Sequence, residues 1–134
     1  MKIFVDNNLP EKLAKILDIL DDNSEVKHIK EMFPPDTKDI QWIQALSNDG
    51  KWLILTQDIH ITKRRVELCA LRESGLSIIC LEKGWSNMTL HVKVSKLINN
   101  WPSIVSTTSK AQKQTIWSIS AKNCKIEDLT SKFI

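Results

Sequence analysis

No apolar run in this chain of 134 residues approaches the roughly 20 residues that a membrane-spanning helix requires. The opening MKIFVDNNLP meets an acid at Asp6, which leaves no space for the apolar region of a signal peptide. A cytoplasmic location and no membrane partner are therefore expected. Cysteine is scarce. Cys69, Cys80 and Cys124 are odd in number and lack CxxC spacing, which argues against a disulfide framework and against a thiolate zinc site. Cys69 and Cys80 stand in apolar context and read as reduced core residues. His28, His60 and His91 are widely separated and lack ligand spacing. No repeat or low-complexity tract interrupts the chain, and its length suits one compact domain. The formal charge of +3 permits a nucleic-acid partner without requiring one.

What the chain does contain is an alternation of strands and helices. KIFV, residues 2–5, is a short strand ending at Asp6. Pro10 suits the first turn of a helix, and Leu13, Ile16, Leu17 and Leu20 repeat at helical spacing. Residues 25–29 form a weaker second strand. The run Phe33-Pro34-Pro35 is a loop, because each proline biases its predecessor away from helix. Thr37 is the expected N-cap of a helix carrying Ile40, Ile43 and Leu46, which stops at Asn48-Asp49-Gly50. WLIL, residues 52–55, is a buried strand. Thr62 is the expected cap of a helix that carries Val66, Cys69, Ala70 and Glu73. LSIICL, residues 76–81, is a second buried strand. Leu90, Val94, Leu97 and Ile98 mark a fourth helix, which Trp101-Pro102 is expected to break or restart. Residues 115–121 and 124–129, joined at Lys122-Asn123, read as a C-terminal hairpin.

Strands apolar on both faces belong to a parallel sheet covered by helices. The expected fold is α/β: a three-layer αβα arrangement with a mainly parallel central sheet and a C-terminal β-hairpin. One domain spans 1–134, with a core over 1–107 and a hairpin and tail over 108–134. Ligands of such sheets bind beyond the carboxyl ends of the strands.

Acids stand at that edge. Asp6 follows the first strand and Asp58 the third, and Asp39 falls in the first turn of the helix capped by Thr37. Three carboxylates in one small volume repel one another. A hard divalent ion such as Mg2+ or Mn2+, which takes oxygen ligands, removes that conflict. It also polarises a phosphoryl oxygen and readies water for in-line attack. Lys63, Arg64 and Arg65 open the next helix, where the macrodipole disfavours cations and attracts anions. Acids beside cations point to a phosphodiester. Each signal has a plainer explanation: Asp39 favours a helix N-terminus, Asp6 accepts bonds in a turn, and a cationic run is a solvated face. A charge at a buried strand end is costly, so Asp58 is hardest to explain away, and the joint pattern favours a site. Glu67 reads as an ion-pair partner and His60 as a loop residue. Trp42, Trp52 and Trp101 read as structural. Trp85 and Trp117 are candidate stacking platforms for bases, with packing the commoner role.

The stretches FVDNNLPEKLAKIL, DTKDIQWIQALSNDGKWLILTQD and KRRVELCALRESGLSIICL together resemble the PIN-like nucleases, closest to the compact prokaryotic toxin-type group, over about residues 2–107. The resemblance implies an αβα fold and Mg2+- or Mn2+-dependent cleavage of single-stranded RNA. It places catalytic, metal-holding acids at Asp6, Asp39 and Asp58. Substrate contacts are expected from Asn7, Asn8, Lys63, Arg64 and Arg65, with Asn7 or Asn8 orienting an acid or a water. An antitoxin protein and a homodimer are the implied partners. Two departures stand out. Ile59-His60-Ile61 occupies the place of a fourth acid, and Asp39 stands where many members have glutamate. Two other functions compete. One is a catalytically weak or inactive nucleic-acid- or partner-binding module. The other is a receiver-type signalling domain with Asp58 as phosphoacceptor and Asp6 and Lys83 in support. Asn7-Asn8 in place of a second acid counts against the receiver.

Overall fold

The computed structural model describes residues 1–57 and 65–133. In chain order these form β1 (Lys2–Val5), α1 (Glu11–Leu20), β2 (Glu25–His28), α2 (Ile29–Met32), α3 (Asp39–Asp49), β3 (Trp52–Thr56), α4 (Arg65–Ser74), β4 (Ser77–Leu81), α5 (Leu90–Ser109), β5 (Ile116–Ile119), β6 (Ile126–Asp128) and α6 (Thr130–Phe133), with a 3-10 turn at Lys83–Asn87. The strands make one sheet in the order β2-β1-β3-β4-β5-β6. All neighbours are parallel except β6, which pairs antiparallel with β5. The expected hairpin is present, and its first strand is the fifth parallel member of the sheet. No helix among the described residues is long and apolar enough to cross a membrane.

Both faces of the sheet are covered, which is why its inner strands β1, β3 and β4 are mostly apolar on both faces. Alternation sends Ile3, Val5, Leu53, Leu55, Ile79 and Leu81 to one face, under Leu13 and Leu17 of α1 and Leu97, Trp101 and Ile104 of α5. Phe4, Ile54, Ile78 and Cys80 face the other way, under Trp42, Ile43 and Leu46 of α3 and Leu71 of α4. The chain leaves β1 toward β2 on one side, and leaves β3 toward β4 on the other. The crevice at the carboxyl ends of β1 and β3 is therefore the topological switch point, where ligands of such sheets bind.

The steps β1–α1–β2 and β3–α4–β4 move in opposite directions across opposite faces, so they share a hand. The step from β4 to β5 continues in the second direction, yet α5 covers the α1 face. That crossover takes the opposite hand, against the general preference. Trp101 ties it there: its indole N–H donates to Asp21 Oδ2 at 3.0 Å, at the end of α1.

Several expectations need correction. Thr37 is not the N-cap of α3. The cap is Lys38, and the Thr37 hydroxyl instead donates to the Pro34 carbonyl at 2.8 Å. The Lys38 N–H is satisfied by Gln41 Oε1 at 2.9 Å. Pro102 neither breaks nor restarts α5, which is continuous through it. Trp101 and Ile104, buried on either side of Pro102, hold the helix against the sheet, so packing outweighs the local cost of proline. Cys69 is exposed, not core. Among the described side chains of α4 the buried one is Leu71, and positions two apart on a helix lie on roughly opposite faces. Trp85 and Trp117 are buried like the other three tryptophans, so neither is a stacking platform. Thr62, expected to cap α4, lies outside the described residues, as does His60.

The end of α3 is locked by charge. Asp49 Oδ2 accepts from the Trp52 indole N–H at 2.6 Å and from Lys2 Nζ at 3.1 Å. The Trp52 bond, then Lys2, holds this carboxyl below its ordinary pKa of 3.8. A depressed folded pKa contributes stability that is full above the unfolded value and is lost as pH falls through the folded one. Asp49→Asn is therefore expected to lower the melting temperature at neutral pH, and the gap to wild type should narrow below pH 3.8. Melts of both proteins across that range check it, and a constant gap would contradict it.

Candidate active site

β1 and β3 run in register with Val5 opposite Leu55, and the Asp6 N–H donates to the Leu55 carbonyl at 3.0 Å. This pairing sets Asp6 beside Thr56 at the carboxyl edge. The Asp6 side chain is only 7% exposed, and its position is held by its neighbours. Oδ1 accepts from the Asn7 N–H at 2.7 Å. Oδ2 accepts from the Thr56 hydroxyl at 3.0 Å and, more weakly, from Asn8 Nδ2 at 3.4 Å. Each of these partners donates, which suits the acceptor-only ionised carboxylate.

Asn8 clips the two strand ends together. Its Nδ2 also donates to Thr56 Oγ1 at 3.1 Å, and its Oδ1 accepts from the Gln57 N–H at 2.9 Å. His28 ties the same turn from the other side. His28 Nδ1 accepts from the Lys30 N–H at 3.2 Å, which leaves Nε2 to donate to the Leu9 carbonyl at 2.7 Å.

Asp39 is the first residue of α3. Its Oδ1 accepts from the Trp42 indole N–H at 3.0 Å, three residues on, where helix geometry makes the two side chains neighbours. Trp42 is fully buried and stacks on Phe4 at 4.8 Å. Asp39 is thus tied to a ring that cannot move without disturbing the core. Asp6, Asn7 and Asp39 line one cleft of about 380 Å³, whose remaining wall includes Lys30 and Phe33-Pro34-Pro35.

Two of the three expected acids, Asp6 and Asp39, therefore meet at this cleft. Asn7 is on its rim, and Asn8 is committed to orienting Asp6. Asp58, Lys63 and Arg64 lie outside the described residues. Arg65 opens α4, but its side chain is outside what is described. Among the described residues no three of His, Cys, Asp or Glu come together to hold a metal ion. Asp6 and Asp39 are nonetheless hard oxygen donors in one cleft, the chemistry that Mg2+ or Mn2+ requires, and Asp58 follows two residues after Thr56.

Three residues here have roles that sequence reasoning missed. Thr56 could have been found from register, since it neighbours Asp6 once β1 and β3 are known to pair. Trp42 could have been found from its helical spacing to Asp39. Lys93 gave no signal. It lies on α5, is 6% exposed, and its Nζ donates to Gln57 Oε1 at 2.7 Å; burial lowers its pKa.

Thr56→Val keeps the shape of the strand end but removes the hydroxyl that donates to Asp6. Loss of one orienting partner of a ligand carboxylate costs about 10–100-fold in metal affinity or activity. A loss of that order, measured as divalent-ion affinity by calorimetry, is expected. Unchanged affinity would show that Thr56 only packs.

A family model described as a PIN like domain matches residues 1–83. That span runs from β1 through β4 and includes Asp6, Asn7, Asn8, Asp39 and Asp58. Comparison with curated proteins and with solved structures gave no match.

Proposed function

The chain belongs to the PIN-like domain family, whose members are generally nucleases, and on that premise we propose that it is a Mg2+- or Mn2+-dependent endoribonuclease of single-stranded RNA, the toxin of a toxin–antitoxin pair. The observation that carries this reading is the meeting of Asp6 and Asp39 at one cleft on the switch-point edge of the sheet. Sheet order alone does not choose between a nuclease and a receiver-type domain, since doubly wound sheets serve many functions. Family membership favours the nuclease.

Asp6, Asp39 and Asp58 would hold the ion. When bound, such an ion supplies Lewis acidity at a phosphoryl oxygen and makes water easier to deprotonate. The protein supplies position. Thr56, Asn8 and the Asn7 N–H fix the Asp6 carboxylate, and Trp42 fixes Asp39. Asn7 on the cleft rim, with Lys63, Arg64 and Arg65 after Asp58, takes the phosphate backbone in this reading. Hydrolysis forms one P–O bond from water and breaks one within the RNA.

The test is cleavage of a mixed-sequence single-stranded RNA with manganese by wild type and by Asp58→Asn. Cleavage by wild type only, with the variant folded, supports the reading. Equal cleavage by both would remove Asp58 from the site. No cleavage by either, with RNA binding intact in chelator, would make the protein a binding module. The toxin role adds a cellular readout: expression of wild type should arrest growth, and expression of Asp58→Asn should not.

A further inference from the structure

The cleft that holds Asp6 and Asp39 is larger than an ion needs. At about 380 Å³ it falls within the roughly 300–1,000 Å³ typical of sites for small organic ligands. Its lining is mixed in character: the acids Asp6 and Asp39 and the cation Lys30 share it with the apolar run Phe33-Pro34-Pro35. Phe33 is half-buried, and its ring is held edge-on against Phe4 at 6.0 Å. The two prolines that follow have fixed φ angles. An apolar wall this rigid pays little entropy when a flat ring settles on it. Lys30 is exposed and adds a cation to the lining of the same cleft, which suits the phosphate that flanks any nucleobase.

We propose that this wall is a nucleobase subsite, which takes the base of the nucleotide next to the scissile phosphate. The inference rests on the ribonuclease reading of the same site. A base in a duplex is already stacked and paired, whereas an unpaired one is free to turn into the cleft. The subsite therefore accounts for a preference for single strands in the described residues themselves. Stacking is available to every base, so presence of a base matters here more than its identity.

The experiment uses short fluorescent single-stranded RNAs, one intact and others with a single abasic nucleotide at each position in turn, with calcium as the divalent ion. Anisotropy gives the affinity of each. One abasic position is expected to weaken wild-type binding about 10-fold, the order of one lost stacking contact. Phe33→Leu retains apolar bulk against Phe4, so folding is preserved. It should weaken binding of intact RNA by a similar factor and remove the effect of the abasic position. The proposal is overturned if every abasic RNA binds as well as the intact one, or if Phe33→Leu leaves the position effect in full. If wild type binds no RNA, the ribonuclease reading fails separately. Titration with a nucleoside monophosphate, followed by the NMR signals of the Phe33 ring, then decides the subsite: shifts retain it, and their absence overturns it.

Discussion

Asp6→Asn is expected to reduce RNA cleavage by about 10²–10³-fold, the scale seen when one preorganised charge-stabilising group is removed from an active site. The substitution preserves size but reverses half of the hydrogen-bond logic. The Asn7 N–H, the Thr56 hydroxyl and Asn8 Nδ2 all donate to the Asp6 oxygens. An amide supplies one oxygen and one NH2, so either orientation turns a donor toward a donor. The Thr56 hydroxyl can rotate to accept, and Asn8 can turn to solvent because it is exposed, so the fold should survive. The loss should therefore appear in cleavage and in divalent-ion affinity, with the melting temperature changed by only a few degrees. Cleavage kinetics, calorimetric ion titration and a thermal melt on the same preparation make the check. Unaltered cleavage would remove Asp6 from the site.

Trp42→Ala is expected to cost about 3–5 kcal/mol of stability, the range for deleting a buried tryptophan or phenylalanine. Domains of this kind are stable by only about 5–15 kcal/mol in total, so this one change takes a large share. Trp42 is fully buried, stacks on Phe4 and belongs to the core beneath α3 and α4. Urea unfolding of both proteins measures the cost. Trp42→Phe separates core from site. It keeps an aromatic ring against Phe4 but removes the indole N–H that holds Asp39. Its stability loss should be much smaller than that of the alanine variant, while ion affinity falls about 10–100-fold. If Trp42→Phe leaves ion affinity at the wild-type level, the indole has no part in positioning Asp39.

Much of this could be read from the chain because the relevant signals are local. WLIL and the IICL of β4 are apolar at every position, and only a strand covered on both faces tolerates that. Asp6 ends such a strand, and a carboxylate there requires an explanation. The hairpin over 116–128 announces itself by alternation and a polar turn. Misreadings arose where other contacts, near or far along the chain, outweigh a residue's usual preference. Thr37 is a good capping residue, but the Pro34 carbonyl takes its hydroxyl. Pro102 disfavours a helix interior, but Trp101 and Ile104 are buried on either side of it. Cys69 looks apolar, but it is exposed, while Leu71 of the same helix is buried in the core.

The sequence by itself therefore determined the parallel αβα architecture, the family, and an acid at the end of β1. These follow from the periodicity of apolar residues and from short motifs, which neighbouring residues set. The tertiary structure alone decided that β1 and β3 are adjacent, which places Thr56 and Asn8 on Asp6. It alone carried α5 across the α1 face and Lys93 to Gln57, whereas the meeting of Asp39 with Asp6 at one cleft was already expected from the chain. Each of those juxtapositions joins residues that are far apart in the chain, and only packing on a common sheet supplies the free energy that holds them together.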